Sequence, residues 1–474
     1  MPEFIRTDNR SLLPAYRPDK EVRLIPSSAD GSLLSPDWTD ELILVEIHPE
    51  TATREGTLAS LVPVLDHLAA LGVNGVWITP IYEKGPGGNG YGNQGPHTLE
   101  PAVTGCTDAD EGWQRVRDFV DEAHRRNIRV LLDLITWGTM KNSALQREHP
   151  DWFHGEAWGG AAFDWKNEEF CEWYIGTCVH NLLITGADGY RADCEPMFAG
   201  HRIFGEIRRR LLEHGRKVLL IAEESSERGG VYDFEQDGVT DWIGWSRGEQ
   251  YQHPKAYFLE GRNIVDCVKT GKMHGSAASQ RDGTSGQDKY YTYCISNHDF
   301  QYSRVNGSRL VMGYQAIFAP YIPLWYLGSE FGMRSEKQVI YFVPVDWSLT
   351  EREENRAFCE DIAQYIRIRR TYPDVFAYWP MNHREANIRE AEADTELPSY
   401  ERYTDQRRIF VIPNGGDCAK TYTVHVDGAR DFCALTDLLT GQSVLFAREG
   451  DGITFRAPVD GGKIGVFLLE KTAK

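Results

Sequence analysis

The chain contains no uninterrupted apolar run of the ~18 residues that a membrane span requires, so no membrane association is expected. Basic residues are in deficit. Fifty-one Lys and Arg stand against 70 Asp and Glu, leaving a formal charge of −19 over 474 residues. That balance argues against binding a phosphate backbone, which needs a basic surface, and no nucleic-acid partner is expected. Cysteine is sparse. The nine are odd in number and scattered, with no CxxC pair. Neither a disulfide framework nor a zinc-ligand spacing follows from them, and no metal is expected on that ground. The first residues, Met1-Pro2-Glu3-Phe4-Ile5-Arg6, lack a basic stretch followed by an apolar one. No secretory signal is therefore expected, and a reducing, cytoplasmic setting is the simplest reading. No repeat or low-complexity segment stands out, and oligomeric state is not legible.

What is present is ordinary for a globular chain: 41% hydrophobic and 26% charged residues. Thirteen tryptophans and a 12% aromatic content are on the high side. They fit a large core, or open clefts in which flat sugar faces stack on rings. Residues 1–40 show turn formers without periodicity and read as an N-terminal arm. From Glu41 onward, apolar runs alternate with amphipathic segments. The strand-like runs are Leu42–Ile47, Val73–Pro80, Ile128–Asp133, Ala187–Asp193, Val218–Glu223, a weak Val239–Ile243, Tyr290–Ser296 and Ile322–Leu327. Helical spacing marks Leu58–Leu68, with Pro63 in or near its first turn, then Trp113–Arg126, Phe170–Thr185, Ile203–His214 and Glu354–Arg370. The alternation predicts an α/β fold, a (β/α)8 TIM barrel over 41–373 with a short insertion after strand three at about 137–162. Short alternating runs and turn pairs from 374 to 474 predict a C-terminal all-β sandwich domain.

In such a barrel, strand ends face a common mouth. Three acids stand at strand ends: Asp193 in Gly189-Tyr190-Arg191-Ala192-Asp193, Glu223 after Leu220-Ile221-Ala222, and Asp299 in Ser296-Asn297-His298-Asp299. Cleaving a glycosidic bond with retention needs a carboxylate nucleophile and a protonated acid held close together. Arg191, two residues before Asp193, shares its strand face and is expected to keep Asp193 ionised. Glu223, on another strand, is expected in a drier pocket. Singly, each piece also reads as a salt bridge, a solvated strand end or a self-satisfied turn.

Taken together, these motifs resemble the α-amylase family of glycoside hydrolases and transglycosylases (glycoside hydrolase family 13). The resemblance covers roughly residues 41–474. It implies Asp193 as nucleophile, Glu223 as general acid/base and Asp299 as a transition-state ligand for sugar hydroxyls, all three catalytic. It implies substrate contacts from Tyr91, Arg191 and His298. Gly90-Tyr91, the stretch Pro323–Glu330 and the helix ending Ile368–Pro373 support it. The implied activity is retaining hydrolysis of α-glucosidic linkages in an α-glucan or α-glucoside, without a cofactor.

Departures also stand out. Where the family's strand-three motif carries Asn and His, this chain reads Asp133-Leu134-Ile135-Thr136-Trp137-Gly138. The amide that helps to bind calcium in calcium-dependent members is thus missing, and so is an imidazole that touches sugar. Trp137 is either an apolar wall or core, and His97 either a partial substitute for the imidazole or a loop residue. Met197 stands where many relatives have a basic residue. Transglycosylation, and non-catalytic binding of sugar or a partner, stay open as rivals.

Overall fold

The computed structural model describes residues 36–85, 88–195, 198–223, 234–235, 290–294, 296–298, 309–320, 322–334, 343–376 and 387–471. These fall into two compact units. One takes the described residues up to 235 with 343–345, and the other takes 290–334 and 346–471. Most of the expected N-terminal arm, Met197, Asp299 and the expected strand Val239–Ile243 lie outside the described residues.

In the first unit a curled, barrel-like parallel sheet runs through β1 (Leu44–Ile47), β2 (Gly75–Ile78), β3 (Arg129–Ile135), β7 (Gly189–Asp193), β8 (Leu219–Ala222) and β9 (Phe234–Glu235). Apart from β9, whose burial is not described, and half-buried Arg129 at the start of β3, these strands are buried along their whole length. That is why they read as continuous apolar runs rather than alternating ones. Between them pack α1 (Val62–Leu71), α2 (Ala109–Arg125), α3 (Glu168–Thr185) and α4 (Gly200–Glu213). Pro63 sits in the first turn of α1, where its missing N–H costs nothing, and left-handed Gly72 ends that helix. Asp108 and Asn167 cap α2 and α3 by accepting from the N–H groups of Glu111 and Phe170. The strand that pairs with β8 is Phe234–Glu235, five residues before the weak run read from sequence.

The insertion after β3 is a small sheet of its own, ordered β4 (Gly138–Thr139), β6 (Gly160–Phe163), β5 (Phe153–Ala157). The register that matters most is β7 on β8, with Gly189 opposite Leu219 and Arg191 opposite Ile221. A Cβ on Gly189 (φ +157°) would lie 1.8 Å from the Leu219 carbonyl oxygen. Gly189→Ala is therefore expected to cost about 3 kcal/mol or more, read as a lowered urea midpoint, because backbone rather than a side chain must move.

The second unit holds one parallel pair, β10 (Tyr290–Cys294) on β11 (Ile322–Tyr326). The sequence thus predicts eight strands, and the described parallel strands are six in one unit and two in the other. Helix α5 (Glu353–Thr371) follows, then an antiparallel nine-stranded sheet in the order β17-β16-β20-β14-β13-β12-β15-β19-β18. These strands are β12 (Ile388–Ala393), β13 (Ser399–Tyr403), β14 (Arg407–Pro413), β15 (Lys420–Val426), β16 (Ala434–Asp437), β17 (Gln442–Ser443), β18 (Phe446–Glu449), β19 (Gly452–Val459) and β20 (Ile464–Glu470). β12 belongs to both halves. Its first residues pair with β13 and its last two with β15. Residues from both halves, among them Phe410, Phe467, Val424 and Phe455, share one apolar core. Tyr400 and Arg402 on β13 donate to the carbonyls of Tyr314 and Phe318 at 2.6 and 3.1 Å, binding this sheet to the rest of its unit. Among the described residues, no helix is long and apolar enough to cross a membrane.

Candidate active site

The β7 strand ends in Arg191-Ala192-Asp193, and its period of two sends Arg191 and Asp193 to one face. Arg191 is wholly buried, and its guanidinium is the hub of the site. It reaches Asp193 Oδ1 at 2.8 Å, Glu223 Oε1 at 2.8 Å and both Asp133 oxygens at 3.3 Å. Only a planar fork of donors can hold three carboxylates at once. The Trp77 ring lies 4.7 Å and the Tyr91 ring 5.8 Å from the same guanidinium, which places the cation against aromatic faces. Asp133, at the middle of β3, also accepts from Trp77 Nε1 and from Tyr91 Oη, each at 2.9 Å. Its oxygens are thus spent on structure, and Tyr91 is held by its hydroxyl with part of its surface open.

Glu223 follows β8 directly. Its amide donates to the Ala192 carbonyl at 3.1 Å, and its Oε2 accepts from the backbone N–H of Cys194 at 2.6 Å. Cys194 adopts a left-handed backbone (φ +57°), which aims that N–H, and its thiol contacts Asp193 Oδ2 at 3.3 Å. Thr136 at the end of β3 donates its hydroxyl to the Asp193 carbonyl at 2.6 Å. One ligand atom each from Asp193, Cys194 and Glu223 lies within 4.8 Å of the others. Both carboxylates already face the Arg191 charge, which takes the place a metal cation would have.

One cation thus serves three acids in a site largely closed to water. Burial pushes the Asp193 carboxyl well above the usual carboxylate range. The charge of Glu223 adds to this, and Arg191 opposes it. Burial, and then the charges of Asp193 and Glu223, push the Cys194 thiol far up, so it stays protonated. The ranking of environments differs from the sequence expectation. The Asp193 side chain is 8% exposed and that of Glu223 15%, so Asp193 occupies the drier place. The reason is position: Asp193 is the last residue inside its strand, whereas Glu223 stands one step beyond β8.

The other sequence candidates divide. Arg191, Asp193 and Glu223 meet directly, and Tyr91 joins them through Asp133. His298, with Ser296 and Asn297, is buried in the second unit. Trp137 is buried, with its ring against Gly160. His97 packs edge-on to Trp173 at 5.3 Å. Burial pushes its pKa down to about 4, with Glu148 and His149 its main charged neighbours. It takes part in none of the hydrogen bonds of the carboxylate cluster among the described residues. Sequence reasoning missed Trp77 and the part of Cys194. The Cys194 contribution is a backbone amide that any residue could supply.

A family profile described as "Alpha amylase, catalytic domain" matches residues 4–152. Malto-oligosyltrehalose trehalohydrolase of Saccharolobus solfataricus is 25% identical over 399 residues, covering 72% of this chain and 67% of the relative. The enzyme of the same name from Deinococcus radiodurans is 25% identical, and the chain spans only 59% of its length. Neopullulanase 2 of Thermoactinomyces vulgaris is 21% identical, covering 86% of this chain and 75% of the relative. Among solved structures, the α-amylase of Geobacillus thermoleovorans aligns with a TM-score of 0.71 at 16% identity, covering 92% of this chain and 99% of that one. In sequence and in fold this chain resembles the α-amylase family. The barrel-like sheet, the separate antiparallel sheet and the buried acidic cluster at the ends of β7 and β8 accord with that resemblance, which supports an amylase-family glycosidase.

Proposed function

We propose that this chain is a retaining glycosidase that cleaves α-glucosidic bonds of oligo- or polysaccharides through a covalent glycosyl–Asp193 intermediate. The observation that carries the reading is the spacing of the acids. One oxygen each from Asp193 and Glu223 lie within 4.8 Å of one another, a closeness that supports the ~5–5.5 Å spacing of retaining enzymes over the ~6.5–9.5 Å of inverting ones. Asp193 Oδ attacks the anomeric carbon as its bond to the leaving oxygen breaks, and that oxygen takes a proton from Glu223. Water then attacks the same carbon, gives a proton to Glu223, and the bond to Asp193 breaks. The first step needs Glu223 protonated and Asp193 ionised. Asp299 and His298 are proposed, on the resemblance of Ser296-Asn297-His298-Asp299, to bind sugar hydroxyls. The catalytic part is then 41–373, with its insertion at 137–162, and the C-terminal β domain is 374–474. The names of the relatives, which include oligo-1,6-glucosidase and neopullulanase, support α-linked glucosides as the substrate class.

The test is direct. Incubation with a 2-fluoro or 5-fluoro α-glucoside is expected to leave one glycosyl mass adduct on the peptide carrying Asp193. NMR of early product is expected to show the α-anomer. β-Anomer as first product removes the retaining mechanism. No turnover of malto-, isomalto- or aryl α-glucosides removes the hydrolase reading, and transfer products dominating at high acceptor concentration would make the chain a transglycosylase.

A further inference from the structure

Strands β5 and β6 of the insertion are joined by two residues, Trp158-Gly159, with Ala157 paired to Gly160. Both central residues have positive φ, +45° and +79°. This is the pattern of a type I′ hairpin turn, for which Asn-Gly is the favoured pair. A tryptophan at the first position is strained. It is also 63% exposed, and among the described large apolar residues only Trp158 and Leu445 are exposed rather than half-buried or buried. Neither turn chemistry nor core packing explains an indole there.

The ring is not isolated. Its centroid lies 6.1 Å from that of Trp137 and 5.2 Å from that of Phe198. Each neighbour is anchored close to Asp193. Trp137 follows Thr136, whose hydroxyl holds the Asp193 carbonyl, and Trp165 Nε1 donates to the Thr136 carbonyl at 3.1 Å. Gly160 makes room for the Trp137 ring, since a Cβ there would fall 2.6 Å from it. Phe198 comes five residues after Asp193. Buried Glu195 accepts from the next two amides, Ala199 and Gly200, each at 2.6 Å, which pins the far end of that segment. Trp158 therefore bridges the two chain segments that leave the strand ends carrying the acidic cluster.

We propose that Trp158, flanked by Phe198, is a stacking platform for a pyranose unit of an oligosaccharide, distant from the bond being cleaved, and that it sets preference for longer chains. The proposal rests on the glycosidase reading for its substrate class. The flat apolar face of a pyranose matches an exposed indole, and a bridge between segments tied to Asp193 puts that indole beside the path a bound chain follows.

The deciding variant is Trp158→Asn. It removes the ring and installs Asn-Gly, the pair this turn prefers, so the hairpin is not weakened. Trp158→Phe and Phe198→Leu complete the set. For whichever of the malto- and isomalto-oligosaccharide series is cleaved, Trp158→Asn is expected to raise KM about three- to tenfold for six or seven sugars. An aryl α-glucoside should be hydrolysed with kcat and KM unchanged, and Trp158→Phe should recover part of the loss. Equal KM at every chain length, or an equal rise for the aryl glucoside, overturns the platform.

Binding is read separately by tryptophan fluorescence with maltoheptaose and isomaltoheptaose. A saturable change in the parent that Trp158→Asn lacks supports the platform even if nothing is turned over, in which case the glycosidase reading alone falls. Saturable binding identical in both proteins, or no binding by the parent, overturns it. A change of sedimentation in Trp158→Asn with saccharide binding intact overturns it in favour of self-association.

Discussion

An Asp193→Asn variant is expected to lose turnover by about ten-thousandfold or more, and at the same time to melt higher than the parent at neutral pH. The first effect follows from removing the nucleophile, because groups that act as a unit lose nearly all their rate when one is deleted. The second follows from the cost of holding a charge where Asp193 sits. Burial and the neighbouring Glu223 raise its folded-state pKa above the unfolded value. For such a group the folded state binds more protons than the unfolded one, so stability is full below the unfolded pKa and declines as pH rises through the folded one. Asn carries no such slope. The difference in melting temperature between variant and parent should therefore be near zero or negative at pH ~4, where carboxylates protonate in the unfolded chain, and grow with pH. Calorimetry across pH 4–8, beside a progress curve on the best substrate, measures both effects. Activity within tenfold of the parent would remove Asp193 from the chemistry. A melting difference independent of pH would mean that Arg191 fully offsets its burial. Stability sacrificed at a reactive group is the pattern expected of an active site.

Much of the first unit could be read in the sequence because its strands are buried on both faces. Leu42–Ile47, Ile128–Asp133 and Val218–Ala222 are apolar runs bounded by helical spacing, and β1, β3 and β8 lie within or across them. The helices were legible for a related reason. Trp113, Val116, Phe119, Val120 and Ala123 line one face of α2, so the period shows. The insertion was not legible as a sheet. Its strands are short and built from Gly and Ala, and its turn carries Trp where Asn would have signalled a hairpin. Phe234–Glu235 was missed because two residues make no pattern. At the site, Asp193, Glu223 and Arg191 could be found from strand-end position, but not which acid is drier. That depends on where each side chain stops relative to its strand end. Asp133 was visible as a strand acid, yet its bonds to Trp77, Tyr91 and Arg191 come from three separate elements, and no local pattern encodes them.

Removing the hub should do more damage to the fold than removing any of its partners. Arg191→Met keeps much of the volume between the Trp77 and Tyr91 rings but removes the guanidinium that Asp133, Asp193 and Glu223 all face. Breaking a buried ion pair by deleting one partner costs ~3–5 kcal/mol, because the remaining charge has nowhere to go. Loss of the cation raises the folded-state pKa of the carboxylates it had served. The same linkage then makes the penalty depend on pH: small near pH ~4, where the acids are protonated in either state, and largest above neutrality. Urea unfolding at pH 5 and pH 8 is expected to show a larger deficit at pH 8. Arg191→Lys separates charge from geometry. An ammonium restores part of the stability, but as a point charge it cannot span Asp193, Glu223 and Asp133 together, so activity should remain low while the unfolding midpoint recovers. Adding Asp133→Asn to Arg191→Met should return part of the lost stability at pH 8, since it deletes one of the stranded charges while an amide still accepts from Trp77 and Tyr91. Equal deficits at the two pH values, or no recovery in the double variant, would mean that packing against the aromatic rings, and not charge, is what Arg191 contributes.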